Sequence, residues 1–209
     1  MSATALIAAA QALDAAGFMP GKSGNLSLRT PRGFLITPSG LAYAALAPED
    51  LVECAPDGAV LGGGRPSSEW RLHAAVYAAR PDTHTVVHTH SPHATALSCA
   101  RRPIPPIHYM ITLAGSDQIP CAAHATFGTP ALADAALAAL GTGRACLLAN
   151  HGVLALGATL AGAETLAREV ENLARQYLLL LGAGLPPVPL TPSELAEAVA
   201  QLRGYGRPA

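Results

Sequence analysis

A short link between two predicted strands restricts the fold of this chain more than any other feature. The segment GKSGNLSLR, residues 21–29, predicts a glycine turn leading into a strand, and GFLITPSG, residues 33–40, predicts a second strand ending in a Pro-Ser-Gly turn. Strands joined by so few residues pair in antiparallel fashion, because a parallel pair needs a crossover of about a dozen residues or more. The link therefore favours a mixed sheet over a strictly parallel, doubly wound one.

Helical patterns alternate irregularly with the remaining strands. PSSEWRLHAAVYAA predicts a helix of about three turns with Ser67 or Ser68 as its N-cap. Strands are predicted for HTVVHTHS and on both sides of the Asn-His-Gly corner in ACLLANHGVLALG. Other predicted helices cover MSATALIAAAQALDAA, PHATALSCA, ALADAALAAL after Thr129, TLAGAETLAREVENLARQYLLLL, and TPSELAEAVAQL, which begins with a capping box. We expect one three-layer αβα domain over residues 1–209.

Composition narrows the classes of function. Lys plus Arg number 13 against 14 Asp plus Glu, and no run of like charge marks a tail, so nucleic acid and anionic membranes are not expected partners. The four cysteines are far apart and form no CxxC pair, which argues against a disulfide framework and a cysteine-based zinc site. The apolar opening lacks a basic n-region, and the apolar run near residue 180 is too short to span a bilayer. We expect a cytoplasmic protein.

Two histidines on one predicted strand are the first indication of a metal site. His88 and His90 stand at positions i and i+2, so their side chains share one face while Thr89 faces away. By itself, such a pair is more often two half-exposed polar residues than two ligands. His151, in the turn made possible by Gly152, is the best candidate for a third ligand. Three neutral imidazoles would leave one coordination position open for substrate, as in a catalytic zinc site.

The remaining histidines have no spacing that recommends them as ligands. We expect His93, just past the strand, to cap or to hydrogen-bond locally. His73, His84, His108 and His124 are expected to be surface or packing residues.

A carboxylate and two serines stand at the start of one predicted helix. The favourable interaction of a carboxylate with the helix dipole would by itself explain why a Glu occupies position 69 in the first turn. However, the same helix start offers free backbone N–H groups and the hydroxyls of Ser67 and Ser68, which together suit an anion such as phosphate. Small turns with hydrogen-bond donors, Gly24 with Asn25 and Ser39 with Gly40, would complete a phosphate pocket if the fold brought these loops together.

Eight segments, taken in order, resemble a known family. They are GNLSLR, FLITPSG, PSSEWRLHAAVY, VVHTHSPHATAL, IPPIHYMI, IPCAAHATFGT, LLANHGVLALG and the tail GYG. Their order and spacing resemble the class II aldolase and adducin head superfamily, and the chain looks most like its L-fuculose-1-phosphate aldolase branch. The resemblance extends from the first helix to Tyr205.

The resemblance implies a zinc-dependent aldolase, with one Zn²⁺ per subunit, that cleaves a ketose 1-phosphate reversibly into dihydroxyacetone phosphate and an aldehyde such as L-lactaldehyde. It also implies a mixed, mainly antiparallel sheet and a homotetramer whose active sites lie between subunits. The residues that match the family's zinc ligands are His88, His90 and His151, with Glu69 as an acid/base that can also touch the metal. Those that match its substrate-binding positions are Gly24, Asn25, Ser39, Gly40, Ser67, Ser68, Phe127 and Tyr205, and Tyr109 matches a catalytic tyrosine donated by the adjacent subunit.

Two departures from the family pattern concern the substrate. Lys22 stands where a small hydroxyl residue usually helps to bind phosphate, and Ser39 replaces a threonine. An ammonium group at position 22 would take over the phosphate contact or change the anion that is bound. Two alternatives remain open: an epimerase, dehydratase or decarboxylase of sugar phosphates on the same scaffold, and a non-catalytic module like the adducin head.

Overall fold

The computed structural model describes residues 2–202, so the expected site residue Tyr205 lies outside the described residues. Eight strands are found in this part of the chain: β1 (Asn25–Thr30), β2 (Gly33–Ile36), β3 (Val52–Cys54), β4 (Val60–Gly62), β5 (Thr85–Thr89), β6 (Cys121–Ala122), β7 (Ala145–Leu148) and β8 (Gly152–Gly157). They form one sheet in the order β4-β3-β2-β1-β5-β8-β7-β6. Every neighbouring pair is antiparallel except β6 and β7, which are parallel.

Helices cover both faces of this sheet. The α-helices of the described residues are α1 (Ala3–Ala15), α2 (Trp70–Ala79), α3 (Pro92–Cys99), α4 (Pro130–Leu140), α5 (Leu160–Gly182) and α6 (Pro192–Leu202). Short 3-10 helices span Pro20–Lys22, Tyr43–Ala45, Pro48–Asp50 and Tyr109–Ala114. Helices α2 and α4 pack on one face, and α1, α3 and α5 pack on the other. The expected mixed, mainly antiparallel sheet between two helical layers is therefore confirmed.

Each face of the sheet has its own hydrophobic core. Successive side chains on a strand point to opposite faces, so Val86 of β5 packs with α2 and α4, whereas Val87 packs with α1, α3 and α5. Strand β5 is buried along its whole length. The histidine-bearing strand is therefore enclosed between the two helical layers.

Most predicted elements are present, with two differences. Helix α2 begins at Trp70 with Glu69 at the N-cap position, because the hydroxyl of Ser67 accepts a hydrogen bond from the backbone N–H of Glu69 and closes a turn before the helix. Strands β3, β4 and β6 were not predicted, since each has only two or three residues and gives no clear alternation. Among residues 2–202, no helix is long and apolar enough to cross a bilayer.

Candidate active site

Three imidazoles and one carboxylate meet at the end of β5. The ring centroids of His88, His90 and His151 lie 4.8 to 4.9 Å from one another. Oε2 of Glu69 lies 3.0 Å from Nε2 of His88, and its Oε1 lies 3.3 Å from Nε2 of His151. One potential ligand atom from each residue falls within 4.8 Å of the others, which makes this group a possible metal-binding site.

The sheet register brings the first two histidines to this point. Residue Asn25 at the start of β1 pairs with His88, which in turn pairs with Leu154 of β8. His90 follows the last residue of β5, and His151 occupies the turn between β7 and β8. A Cβ at Gly152 would collide with the carbonyl oxygen of Thr89, so only glycine lets that turn approach β5 so closely.

Glu69 is held at the cluster although it stands at the start of a helix. Its side chain makes no capping hydrogen bond and is instead buried, with Oε2 accepting a hydrogen bond of 3.0 Å from Nδ2 of Asn25. Burial on its own would raise the pKa of Glu69, but the charge and hydrogen bond of His88, the charge of His151 and the bond from Asn25 lower it below its ordinary value. The carboxylate is therefore ionised and is directed at the three imidazoles.

The histidines differ in protonation. Burial, followed by the charge of His88, lowers the pKa of His90 to about 3 and that of His151 to about 4. Burial also opposes charge on His88, but the charge and hydrogen bond of Glu69 raise its pKa above the ordinary value. Nδ1 of His88 lies 2.8 Å from the carbonyl oxygen of Val153, which keeps a proton on Nδ1 and turns Nε2 toward the cluster.

These residues fit a divalent metal ion. Oε1 of Glu69 accepts no hydrogen bond from the described residues although it is buried, and buried polar atoms are rarely left without a partner. Nε2 of His88 and Nε2 of His90 lie only 3.0 Å apart, so at most one proton can stand between them. Three imidazole nitrogens and a carboxylate oxygen form a donor set that Zn²⁺ accepts. A metal ion would replace the proton that His88 holds against Glu69.

A cavity of about 440 Å³ opens above the cluster. Its lining includes the segments expected to bind an anion, residues 24–25, 39–40 and 67–68, which we call the anion loops. Backbone hydrogen bonds join the segment around Ser39 to the segment around Ser67. The N–H of Ser39 donates to the carbonyl oxygen of Arg65 over 3.1 Å, and the N–H of Ser67 donates to the carbonyl oxygen of Thr37 over 3.1 Å. Six of the residues expected at the phosphate site line this one cavity: Gly24, Asn25, Ser39, Gly40, Ser67 and Ser68. The convergence that the sequence could not establish is therefore present.

Lys22 brings a fixed positive charge to the same cavity. It is the only lysine in the sequence and the only Lys or Arg among the described residues that line the cavity. Its backbone lies in the left-handed region at φ 67°, beside Gly21 at φ 63°, and its Nζ donates a hydrogen bond of 3.2 Å to the carbonyl oxygen of Gly40. The side chain therefore bridges the two loops at the rim.

The remaining site predictions have different outcomes. Phe127 lies on the cavity wall and is 64% exposed. Tyr109 does not line the cavity and is 47% exposed, stacked on His108 with 4.5 Å between ring centroids. His93 binds the carboxylate of Glu171 through Nδ1 at 2.7 Å and is not part of the metal-binding group.

Sequence reasoning missed several residues of the cavity. His124, Thr126 and Asn150 line it, although the spacing of His124 in the sequence gave no reason to select it. His73, expected to be a surface or packing residue, is fully buried and hydrogen-bonded to Asn25. Its position four residues after Glu69, on the same helix face, was the signal that could have found it.

Comparisons with known proteins agree with this geometry. Residues 4–178 match the family model described as Class II Aldolase and Adducin N-terminal domain. The chain belongs to this family. It is an enzyme of the class II aldolase type, as the names of its relatives indicate.

Two curated relatives of the family are similar over nearly the whole chain. The 5-methylthioribulose-1-phosphate/5-deoxyribulose-1-phosphate aldolase of Rhodospirillum rubrum is 47% identical over 201 residues, covering 96% of this chain and 90% of that protein. The L-fuculose phosphate aldolase of Escherichia coli strain K12 is 44% identical over 190 residues, covering 91% and 88%. A solved structure of an L-fuculose 1-phosphate aldolase superposes with a TM-score of 0.92 at 36% identity, covering 96% of this chain and 95% of that chain.

Proposed function

We propose that this aldolase is zinc-dependent and cleaves a ketose 1-phosphate reversibly into dihydroxyacetone phosphate and an aldehyde. The substrate is L-fuculose 1-phosphate, which would release L-lactaldehyde, or a related deoxypentulose or methylthio sugar phosphate. The two kinds of relative named above support both substrates. One observation carries the proposal: Glu69, His90 and His151 of the metal-binding group line the same cavity as the loops expected to bind phosphate.

The residues of the cluster would hold the metal ion through His88, His90 and His151, with Glu69 as a further ligand. When bound, the ion would supply Lewis-acid polarisation of the ketose carbonyl. The imidazole of His88 is oriented for this role by its Nδ1 contact with Val153, an arrangement usual for metal-binding histidines.

The phosphate would be bound by the loops that line the cavity beside Glu69. The candidate donors are the hydroxyls of Ser39, Ser67 and Ser68, the backbone N–H groups of the glycine turns, and the ammonium of Lys22. Binding at these loops holds the sugar in one orientation relative to Glu69, so that the reacting carbons stay in place during the reaction.

Two side chains would move the protons. As the C3–C4 bond breaks and the aldehyde forms, Tyr109 of a neighbouring subunit would accept the proton of the C4 hydroxyl and pass its own proton to solvent. Glu69 would take up one proton from solvent and deliver it to C3, which yields dihydroxyacetone phosphate with no net gain or loss of protons. The exposure of Tyr109 outside the cavity of its own chain supports a role across a subunit boundary. Phe127 and Tyr205 would enclose the aldehyde end.

The assembly is proposed from the family resemblance, and the cellular location is proposed from the cysteines. We propose that residues 1–209 act as a single domain and that four copies assemble into a homotetramer with shared active sites. All four cysteines are free, which suits the reducing cytoplasm.

A substrate panel tests the proposed reaction. The zinc-loaded protein is incubated with L-fuculose 1-phosphate, 5-deoxyribulose 1-phosphate, 5-methylthioribulose 1-phosphate and ribulose 5-phosphate, and dihydroxyacetone phosphate is followed through a coupled reductase. At least one 1-phosphate should yield triose phosphate. An epimerase would rearrange a pentulose phosphate without releasing any triose, and a dehydratase would release water, so either result would replace the aldolase proposal.

A further inference from the structure

A buried hydrogen-bond chain leads away from the metal-binding group. It alternates between two elements: α2 with its N-cap residue supplies Glu69, His73 and Tyr77, and β1 supplies Asn25 and Ser27. From the carboxylate inward, the successive distances between partner atoms are 3.0, 2.5, 2.6 and 2.7 Å. All five side chains are buried, and His73 and Ser27 are fully so.

The hydrogen-bond chain can form because its side chains advance by nearly the same distance per step along the helix and along the strand. Glu69, His73 and Tyr77 are spaced by four, so they share one face of α2 and advance about 6 Å per step. Asn25 and Ser27 are spaced by two, so they share one face of β1 and advance about 6.6 Å per step. The two advances nearly agree, and each strand side chain therefore fits between two helix side chains.

The direction of every hydrogen bond follows from the carboxylate. Nδ2 of Asn25 donates to Oε2 of Glu69, and Oδ1 of Asn25, an amide oxygen that can only accept, must accept from Nε2–H of His73. Burial lowers the pKa of His73 to about 3, so the ring has one proton and Nδ1 accepts from the hydroxyl of Ser27. Ser27 in turn accepts from the hydroxyl of Tyr77.

We infer that His73 is a positioning residue, which orients Glu69 through the side-chain amide of Asn25. The amide engages Oε2, and Oε1 is left without a hydrogen bond, 3.3 Å from Nε2 of His151. Without the proton on Nε2 of His73, the amide of Asn25 is free to rotate and to offer its oxygen to the carboxylate. The catalytic consequence rests on the proposed function of Glu69, whereas the hydrogen-bond chain itself does not.

Two measurements on the zinc-loaded full-length protein test this inference. The first is a long-range ¹⁵N–¹H spectrum of protein labelled with ¹⁵N-histidine, in which we expect the ring that is missing from His73→Gln to be neutral, with its proton on Nε2. The second is cleavage of the panel substrate that gives triose phosphate, for His73→Leu and His73→Gln. Leucine should lower kcat by about 10- to 100-fold, as loss of supporting contacts does around metal sites, with zinc content unchanged. Glutamine, whose Nε2 can also donate to Asn25, should recover most of that loss.

His93→Gln is the matched control, because His93, like His73, hydrogen-bonds to a side-chain oxygen through a ring nitrogen, but its partner is Glu171 instead of Asn25. It should leave kcat unchanged.

A His73 ring with its proton on Nδ1 would overturn the inference whether or not any sugar phosphate is cleaved. Wild-type kcat in His73→Leu, or equal losses in the leucine and glutamine variants, would overturn the positioning role. If leucine prevents folding, the tautomer and the glutamine variant still decide. Absence of cleavage by the wild type would contradict the proposed function and leave the tautomer test standing.

Discussion

Asn25 lies directly opposite His88 in the antiparallel ladder between β1 and β5. Paired residues in such a ladder project to the same face, so the amide that holds Glu69 and the imidazole beside it are supported by two adjacent strands near the middle of the sheet. Their relative position is therefore determined by backbone pairing in the sheet, whereas His151 is held in a turn.

Loss of one imidazole should empty the metal site. His90→Ala removes one of three nitrogen donors, and we expect the affinity for Zn²⁺ to fall by at least about 10-fold, since even indirect support of a ligand is worth that much. The measurement is metal content by mass spectrometry after dialysis against a zinc buffer. His93→Ala should retain the ion, because His93 contacts Glu171. Equal loss in both variants would argue against the assigned ligands.

Removing the charge of Lys22 should weaken substrate binding and spare the metal. We expect Lys22→Met to raise KM for the sugar phosphate by about 10-fold, because charge-assisted hydrogen bonds to phosphate are among the stronger ones. Lys22→Arg, which keeps the charge, should lose less, and steady-state kinetics with parallel zinc analysis would separate the two effects.

The same residue can be tested chemically. Since Lys22 is the only lysine in the sequence, an amine-acylating reagent has one side-chain target. Inorganic phosphate should slow its modification if the ammonium contacts the bound anion. Unchanged modification rates at saturating phosphate would place the anion elsewhere.

Two glycines of the anion loops should differ in their tolerance of alanine. Gly24 at φ 75° and Gly40 at φ 82° both adopt a left-handed backbone, which costs an alanine about 1 to 2 kcal/mol of unfolding free energy. A Cβ at Gly40 meets nothing within 4 Å, but at Gly24 it would collide with Met19 and lie 2.7 Å from the carbonyl oxygen of His88. Gly24→Ala should therefore lose a further 1 to 3 kcal/mol or so in urea unfolding, and equal losses would contradict this.

The buried His73 should make the metal-free protein sensitive to mild acid. Burial and the charge of His88 lower its pKa to about 3, against the opposing effect of Glu69, while the unfolded chain has the ordinary value of 6.5. Below pH 6.5 the unfolded state therefore takes up a proton that the folded state does not, and stability falls as the pH is lowered toward 3. From pH 7.5 to 5, this group should account for about 2 kcal/mol.

His73→Gln should remove that share of the pH dependence, whereas Tyr77→Phe, which keeps the imidazole, should not. The comparison requires urea unfolding of chelator-treated protein at both pH values. An unchanged pH dependence in the glutamine variant would mean that other groups are responsible.

Mixed oligomers should recover activity if two subunits share each active site. Tyr109→Phe and Glu69→Gln should each be nearly inactive. In a random equal mixture, about a quarter of the sites would combine an intact Tyr109 with an intact Glu69 from the neighbour. Activity near a quarter of the wild-type value after co-refolding is the expected result. No recovery, with mixed oligomers demonstrated, would exclude a shared site.

The sequence predicted the parts of this molecule whose signals are local. The short link between β1 and β2 indicated the antiparallel sheet, and the spacing of His88 and His90 placed them on one face. Thr129 was correctly expected to open α4, because its hydroxyl accepts from the backbone N–H of Leu132.

What could not be predicted depends on contacts between distant segments. His124 and Asn150 have no distinguishing spacing, and they line the cavity only because the fold brings their loops to it. The importance of His73 cannot be recognised from the period of α2 alone, because it arises where side chains of a strand and of a helix interleave. Tyr109 could be connected to the site only through resemblance.

Because Lys22 has a left-handed backbone, selection for thermal stability and selection for activity should favour different residues at position 22. Glycine adopts φ 67° without steric strain and lysine does not, so a screen for thermal tolerance alone would favour Lys22→Gly. If the ammonium binds the phosphate as proposed, a screen for cleavage of the phosphorylated sugar would favour the lysine. Alternating the two regimes in directed evolution should therefore make position 22 switch back and forth, while Gly24, two residues away, stays unchanged under both.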